Sequence, residues 1–187
     1  METRLSESPF DEARIRALAA TPVETLEWAW RHMGDRCCVL SSMQDATVIE
    51  LAMRVDRRFP VVFLDTGYHF PETWDTLRAV ERTYGIEIEV IGPIRPVEAH
   101  IEPGRCCDDK PVLLERALEG RSGWISGVRR QQTENRASAQ LVETDKRGLT
   151  KVNPIVQWSD VDHALFCLLY TSPSPRDATL SRMPSSA

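Results

Sequence analysis

Val61-Val62-Phe63-Leu64 is apolar at every position and runs straight into Asp65-Thr66-Gly67. A run this short does not make a buried helix, and with no polar position it cannot be a strand with one wet face. It reads as a strand covered on both sides, and such strands belong to parallel sheets flanked by helices. Cys37-Cys38-Val39-Leu40 shows the same pattern one unit earlier. A turn at Ser41 to Asp45 follows it, and then a helical stretch to about Arg57. After the second strand, Pro71 to Tyr84 reads as a helix with proline near its start, and Ile86 to Ile91 alternates apolar and acidic residues as a half-exposed strand does. The order β-α-β-α-β predicts an α/β fold, a mostly parallel sheet with helices on both faces.

The flanks add smaller elements. Thr21-Pro22-Val23-Glu24 has the composition of a helix start, and Leu26, Trp30 and Met33 lie on one stripe, so a helix is expected from Thr21 to about Met33. Gly92 to Arg105 is rich in proline and glycine and reads as a loop that carries Cys106 and Cys107 at its end. Lys110 to Leu118 reads as a short amphipathic helix, Gly123 to Gly127 as a fourth strand, and Leu141 to Thr144 with Leu149 to Asn153 as a hairpin. No internal repeat is present. At 187 residues and 42% apolar composition, one domain with a real core is expected.

Bulk properties narrow the class. The net charge of −5 argues against a general nucleic-acid binder, although a local arginine cluster can still hold a small anion. Met1 to Phe10 is polar and acidic, without the apolar segment of an export signal, and no apolar run is long enough to span a bilayer. Five cysteines without a secretory context point to thiols or metal ligands in a reducing compartment, so the cytosol is expected.

In open parallel sheets, ligands bind beyond the carboxyl ends of the strands. Three segments fall at such ends: Ser41-Ser42-Met43-Gln44-Asp45, Asp65-Thr66-Gly67, and Gly127-Val128-Arg129-Arg130. Short hydroxyl side chains and free amides at a helix start suit phosphate or sulfate oxygens, though any one such segment can equally be a helix cap. Arg129 and Arg130, with Arg136 further on, could grip a phosphosulfate through forked hydrogen bonds; a solvated basic face is the alternative. Asp65 could accept from a ribose or an adenine amino group, or cap its own turn. His32, His69, His100 and His163 lack ligand-like spacing and read as structural or exposed. Cys37 and Cys38 lie within a strand, where neighbours point to opposite faces, so they read as core. Cys106 and Cys107 are too close to bridge each other without strain and suit a metal cluster better, with Lys110 nearby.

Together these segments resemble the assimilatory adenylyl-sulfate and phosphoadenylyl-sulfate reductases. The resemblance covers about Cys37 to Phe166. It is carried by Val39 to Ala46, Leu64 to Thr73, Cys106-Cys107, Gly127 to Gln131, and Lys151-Val152-Asn153-Pro154-Ile155. It implies an adenine-nucleotide-hydrolase-like (PP-loop-like) domain holding the nucleotide at Ser41, Ser42, Gln44, Asp45, Asp65, Thr66 and Gly67, and the phosphosulfate near Arg129, Arg130 and Arg136. Lys110 resembles a basic residue that sits near cluster and substrate, although the segment from Cys107 to Leu114 looks one residue short of the usual pattern. The implied reaction reduces adenylyl sulfate to sulfite and AMP in assimilatory sulfate reduction, with thioredoxin as the electron donor. In the family a cysteine on a C-terminal tail attacks the sulfate sulfur, leaving an S-sulfocysteine that thioredoxin reduces. The tandem cysteines resemble those of the branch that carries a 4Fe-4S cluster, for which Cys106 and Cys107 are half of the ligand set. Homo-oligomer formation is left open.

Beyond Phe166 the sequence changes character. Cys167 to Asp177 is similar to the translation of a transposase adapter used to prepare short-read sequencing libraries, and Ser181 to Ala187 is similar to its continuation. Residues 1–166 are therefore expected to be a reductase domain incomplete at its C-terminus, and 167–187 a non-biological, disordered tail. On that reading the catalytic cysteine lies beyond the truncation and the chain is inactive as written. Other readings are a reductase of the 3′-phosphorylated substrate, an ATP-using adenylylating enzyme of the same fold group, or a non-catalytic nucleotide-binding module. The adenylylating enzymes carry a glycine-rich phosphate loop, and Ser41 to Ala46 lacks its glycines.

Overall fold

The central strand β1 (Cys37–Ser41) pairs in parallel with β2 (Val61–Leu64) on one side and β4 (Gly123–Ser126) on the other. The computed structural model describes residues 12–93 and 105–170, with side chains from 20 to 93 and from 109 to 168. β3 (Ile88–Ile91) extends the sheet beyond β2, and the hairpin of β5 (Val142–Thr144) and β6 (Thr150–Val152) extends it beyond β4. The full order is β3-β2-β1-β4-β6-β5, with all neighbours parallel except β5 and β6. The expected α/β class and the hairpin are both present.

Five helices complete the fold: α1 (Glu12–Met33), α2 (Thr47–Val55), α3 (Pro71–Tyr84), α4 (Arg105–Leu118) and α5 (Asp160–Tyr170). Strand-helix-strand crossovers are right-handed, so the direction of travel decides which face a helix covers. The chain steps from β1 to β2 to β3 in one direction, with α2 and α3 on one face. It then jumps back across β2 and β1 to reach β4, which puts α4 on the other. The core divides accordingly. Leu26 and Ala29 of α1, Ile49 and Leu51 of α2, Leu77 and Val80 of α3, and Phe166 of α5 pack with Val39, Val61 and Phe63. Leu113, Ala117 and Leu118 of α4 cover Cys38, Val62 and Leu64 alone. Cys37 and Cys38 fall into these two opposite clusters, as strand alternation requires, and both are free thiols. Burial pushes Cys37 up to about 12 and Cys38 to about 11, so neither is a thiolate near neutrality.

Three boundaries differ from the sequence reading. α1 begins at Glu12 rather than Thr21 and passes through Pro22. Proline removes one backbone donor, but α1 has a buried apolar stripe to hold it, and packing outweighs the local start signal. α4 begins at Arg105 rather than Lys110, so Cys106 and Cys107 stand in its first turn and not in a loop; their side chains lie outside the described residues. α5 runs through Phe166 to Tyr170, so the first residues of the expected disordered tail are helical, while 171–187 lie outside the described residues. Among the described residues no helix is long and apolar enough to cross a membrane.

Gly123 shows how tightly β4 is wedged. A Cβ there would lie 2.5 Å from Met33 Sδ and 2.6 Å from the Thr150 carbonyl oxygen of the neighbouring strand. The methionine can move; the paired carbonyl cannot without disturbing the ladder. Gly123→Ala is expected to cost about 1–3 kcal/mol of stability. Thermal denaturation checks this, and an unchanged melting temperature would show that the ladder shifts at no cost.

Candidate active site

Between β1 and β4 the strand order reverses, with α2 leaving β1 on one face of the sheet and α4 reaching β4 along the other. This is where an open α/β sheet makes its crevice. A cavity of about 420 Å³ lies there. The loop after β1 contributes Ser41, Ser42, Gln44 and Asp45, and the loop after β4 contributes Gly127, Val128 and Arg129, followed by Gln132 and Arg136. Lys110 enters from α4, His163 from α5, and Leu64 with His69 from the end of β2.

The loop after β1 is held from within. Ser41 Oγ accepts the Met43 N–H at 3.2 Å, and Met43 adopts a left-handed φ of 55° with its side chain fully buried. Asp45 Oδ1 accepts the N–H of Thr47, the first residue of α2, at 2.9 Å. Its other oxygen faces His163 Nε2 at 3.3 Å. Burial alone would raise the Asp45 carboxyl, but hydrogen bonds from His163 and Thr47 hold it below the usual range. The same contact, with a hydrogen bond to Cys167 adding to it, pushes His163 up to about 9.

The loop after β4 is held from outside. Arg129 is almost fully buried, and its Nη1 donates to Asp160 at the start of α5 at 2.5 Å. Gln132 accepts the Arg129 N–H at 3.1 Å and also accepts from the Arg136 guanidinium. Arg130, expected beside Arg129 on the anion, turns away: its Nε donates to the Ala139 carbonyl at 2.8 Å, and it does not line the cavity. Arg129 is extended while Arg130 opens a 3-10 turn over Arg130–Gln132, and the change of backbone conformation between them separates this pair. Asn153, from the Lys151 to Ile155 segment, is fully buried under the site. It accepts from Ser126 Oγ at 2.6 Å and donates to the Gln140 carbonyl at 2.7 Å, bracing the hairpin against the end of β4.

The segment after β2 behaves differently from the sequence reading. Asp65 Oδ1 accepts the Gly67 N–H at 2.7 Å, closing its own turn with Gly67 at φ 80°. Asp65, Thr66 and Gly67 do not line the cavity, whereas His69 does. Sequence reasoning set aside both His69 and His163. Neither carries a local signal, since His163 meets its partners at a separation of 116 positions from Thr47.

Asp45, His163 and Cys167 place one ligand-type atom each within 4.8 Å of one another. As thiols for an iron–sulfur cluster, Cys37 and Cys38 are excluded by their opposite, buried orientations. Cys106 and Cys107 stand in the first turn of α4, with side chains outside the described residues.

The Asp45–His163 pair makes stability depend on pH. His163 has a folded pKa above its ordinary 6.5, so its contribution is complete below that value and fades as pH rises through about 9. Asp45 has a depressed value, so its contribution is present above its ordinary 3.8 and lost as pH falls below it. The melting temperature of His163→Ala should therefore fall furthest behind the native chain near pH 6 and converge with it above about pH 9. A constant difference across that range, measured by thermal denaturation, would contradict the pairing.

Comparison with known proteins bears on family and fold. Residues 36–171 match the family described as "Phosphoadenosine phosphosulfate reductase domain". "Adenosine 5'-phosphosulfate reductase" of Mycolicibacterium smegmatis is 41% identical over 155 residues, covering 76% of this chain and 66% of the relative. The protein of the same name from Streptomyces coelicolor is 42% identical with the same coverage. The chain thus spans just under two thirds of the length of these relatives. The crystal structure of phosphoadenylyl-sulfate reductase from Candida auris superposes with a TM-score of 0.71, covering 93% of this chain and 94% of that one at 19% identity. FMN adenylyltransferase of Candida glabrata in complex with ATP gives 0.63, covering 90% and 58% at 11% identity; at such identities the likeness is one of fold. The chain belongs to the phosphoadenosine phosphosulfate reductase domain family.

Proposed function

We propose that this chain is the sulfonucleotide-binding part of an assimilatory adenylyl-sulfate reductase, which reduces adenylyl sulfate to sulfite and AMP with thioredoxin as electron donor in the cytosol. The observation that carries it is the cavity at the β1/β4 reversal, where a hydroxyl-rich loop at a helix start faces Arg129, Arg136 and Lys110. Relatives at 41% and 42% identity carry the name of that activity.

Ser41, Ser42 and Gln44 offer hydroxyl and amide donors to the nucleotide phosphate beside the α2 N-terminus. Arg129 and Arg136 offer guanidinium donors to the phosphosulfate, and Arg136 is anchored by a neutral amide that leaves its charge uncancelled at that contact. When a thiolate attacks the sulfate sulfur, an S–S bond forms, the bond from sulfur to the bridging oxygen breaks, and AMP leaves with the negative charge. Cations fixed around the phosphate stabilise that charge as it develops. Asp65, Thr66 and Gly67 support the floor through their own turn. An iron–sulfur cluster, where bound, would be held by Cys106 and Cys107 together with two thiolates from outside this chain. The attacking cysteine is likewise assigned to sequence beyond Phe166, with 167–187 read as foreign to the enzyme.

Titration of the 187-residue chain with AMP and adenylyl sulfate tests the site. Arg129→Ala and Arg136→Ala should each weaken binding about tenfold or more, the scale of a charge-assisted hydrogen bond. Arg130→Ala, which does not reach the cavity, should leave affinity within about twofold. Equal effects at Arg130 and Arg136 would refute the placement. Incubation with thioredoxin and adenylyl sulfate should release no sulfite; release would show that a cysteine present here is the nucleophile.

A further inference from the structure

Met43 is the one non-glycine residue with a left-handed φ among those described, and it sits in the middle of the loop that faces the cavity. A side chain in that conformation is strained and persists only where its surroundings hold it. Alternation into the left-handed region is also how consecutive backbone amides are turned toward an anion. The loop's own contacts are modest: a 3.2 Å hydrogen bond from the Met43 N–H to Ser41 Oγ, and burial of the Met43 side chain. The far end is fixed by a group from another part of the chain. Asp45 divides its carboxylate between the Thr47 N–H and His163 Nε2, and His163 also meets Thr47 Oγ1 at 3.1 Å. One turn earlier on the same helix, Asp160 takes the Arg129 guanidinium. The first two turns of α5 therefore grip both rims of the cavity, the loop after β1 through His163 and the loop after β4 through Asp160.

We propose that His163 is a positioning residue for nucleotide binding: through Asp45 it locks the strained 41–45 loop in its anion-binding shape, and α5 thereby couples that loop to Arg129. The inference rests on the nucleotide-site reading given above. His163 contacts no reacting atom in this scheme; it acts on the ligand by way of Asp45. The groups facing it are Asp45 from the loop after β1, the Thr47 hydroxyl from α2, and Cys167 from its own helix, with Lys110, Arg129 and Arg136 sharing the cavity. Cys167 adds to the shift of His163 but does not touch Asp45's loop, so the positioning role is assigned to the Asp45 contact, the largest cause of that shift.

The test is calorimetric titration of the full chain with AMP, at about pH 7.5 and about pH 9.5, for the native sequence and for His163→Ala, His163→Gln and Cys167→Ala. His163→Ala should weaken binding about tenfold at the lower pH, and His163→Gln, whose amide N–H reaches the Nε2 position, should recover most of the loss. The native chain should lose affinity between the two pH values as the imidazolium deprotonates, and His163→Gln should lose less. Cys167→Ala should match the native affinity at the lower pH, with the loss of affinity setting in at a somewhat lower pH because one cause of the raised His163 is gone. Native affinity in both His163 variants, or the same pH loss in His163→Gln as in the native chain, overturns the positioning role while leaving the nucleotide site standing. A native chain that binds no AMP overturns the site reading and this inference with it.

Discussion

The reversal of strand order between β1 and β4 is the constraint on which the site depends. With α2 leaving β1 on one face of the sheet and α4 reaching β4 along the other, the carboxyl ends of these two strands border a gap that no crossover fills. The cavity hangs from that gap's edges: the loop after β1 on one side, the loop after β4 on the other, α4 and α5 at its flanks, and Leu64 and His69 from the end of β2. The reversal follows from one long step in the chain, the return from β3 across two strands to β4, which also carries α4 to the opposite face of the sheet.

Backbone position alone does not aim the side chains. Arg129 and Arg130 share a loop, yet one is drawn to Asp160 and the cavity while the other is spent on the Ala139 carbonyl. Arg129 is nearly buried, where an unpaired guanidinium would be costly, so the exposed carboxylate of Asp160 both neutralises it and fixes its direction. Asn153 plays the matching role beneath the strand. Its amide cannot be left unsatisfied in the core, and meeting its needs with Ser126 and Gln140 ties the hairpin to the end of β4.

Much of the architecture was legible because it depends on local pattern. Unbroken apolar runs at Val61 to Leu64 and Cys37 to Leu40 give strands buried on both sides, and Pro71 starts α3 at the expected residue. The cavity-facing residues Ser41, Ser42, Gln44, Asp45, Lys110, Arg129 and Arg136 were found from strand ends and resemblance. What stayed hidden was long-range. His163 joins the site only because α5 packs back over α2, and no spacing in the sequence encodes that meeting. At Asp65 to Gly67 the polar residues close their own turn, and it is His69 that lines the cavity. The start of α1 was misplaced because Pro22 looks like a helix start but lies inside a longer helix, and that of α4 because the loop reading of Gly92 to Arg105 was carried on through Cys106 and Cys107.

The two borders of the sheet bear on how copies of this chain can meet. At one border β5 is only three residues long, and Glu143 is engaged with Lys151 directly across from it at 2.7 Å. At the other, β3 is four residues long, and its Glu89 is paired with Arg121 at 2.5 Å. Short strands edged with charge are poor templates for another chain's backbone, since a newcomer would have to bury those carboxylates to zip on. Assembly by continuing the sheet from one copy into the next is thereby discouraged at both ends, and any self-association is left to side-chain surfaces of the helical layers.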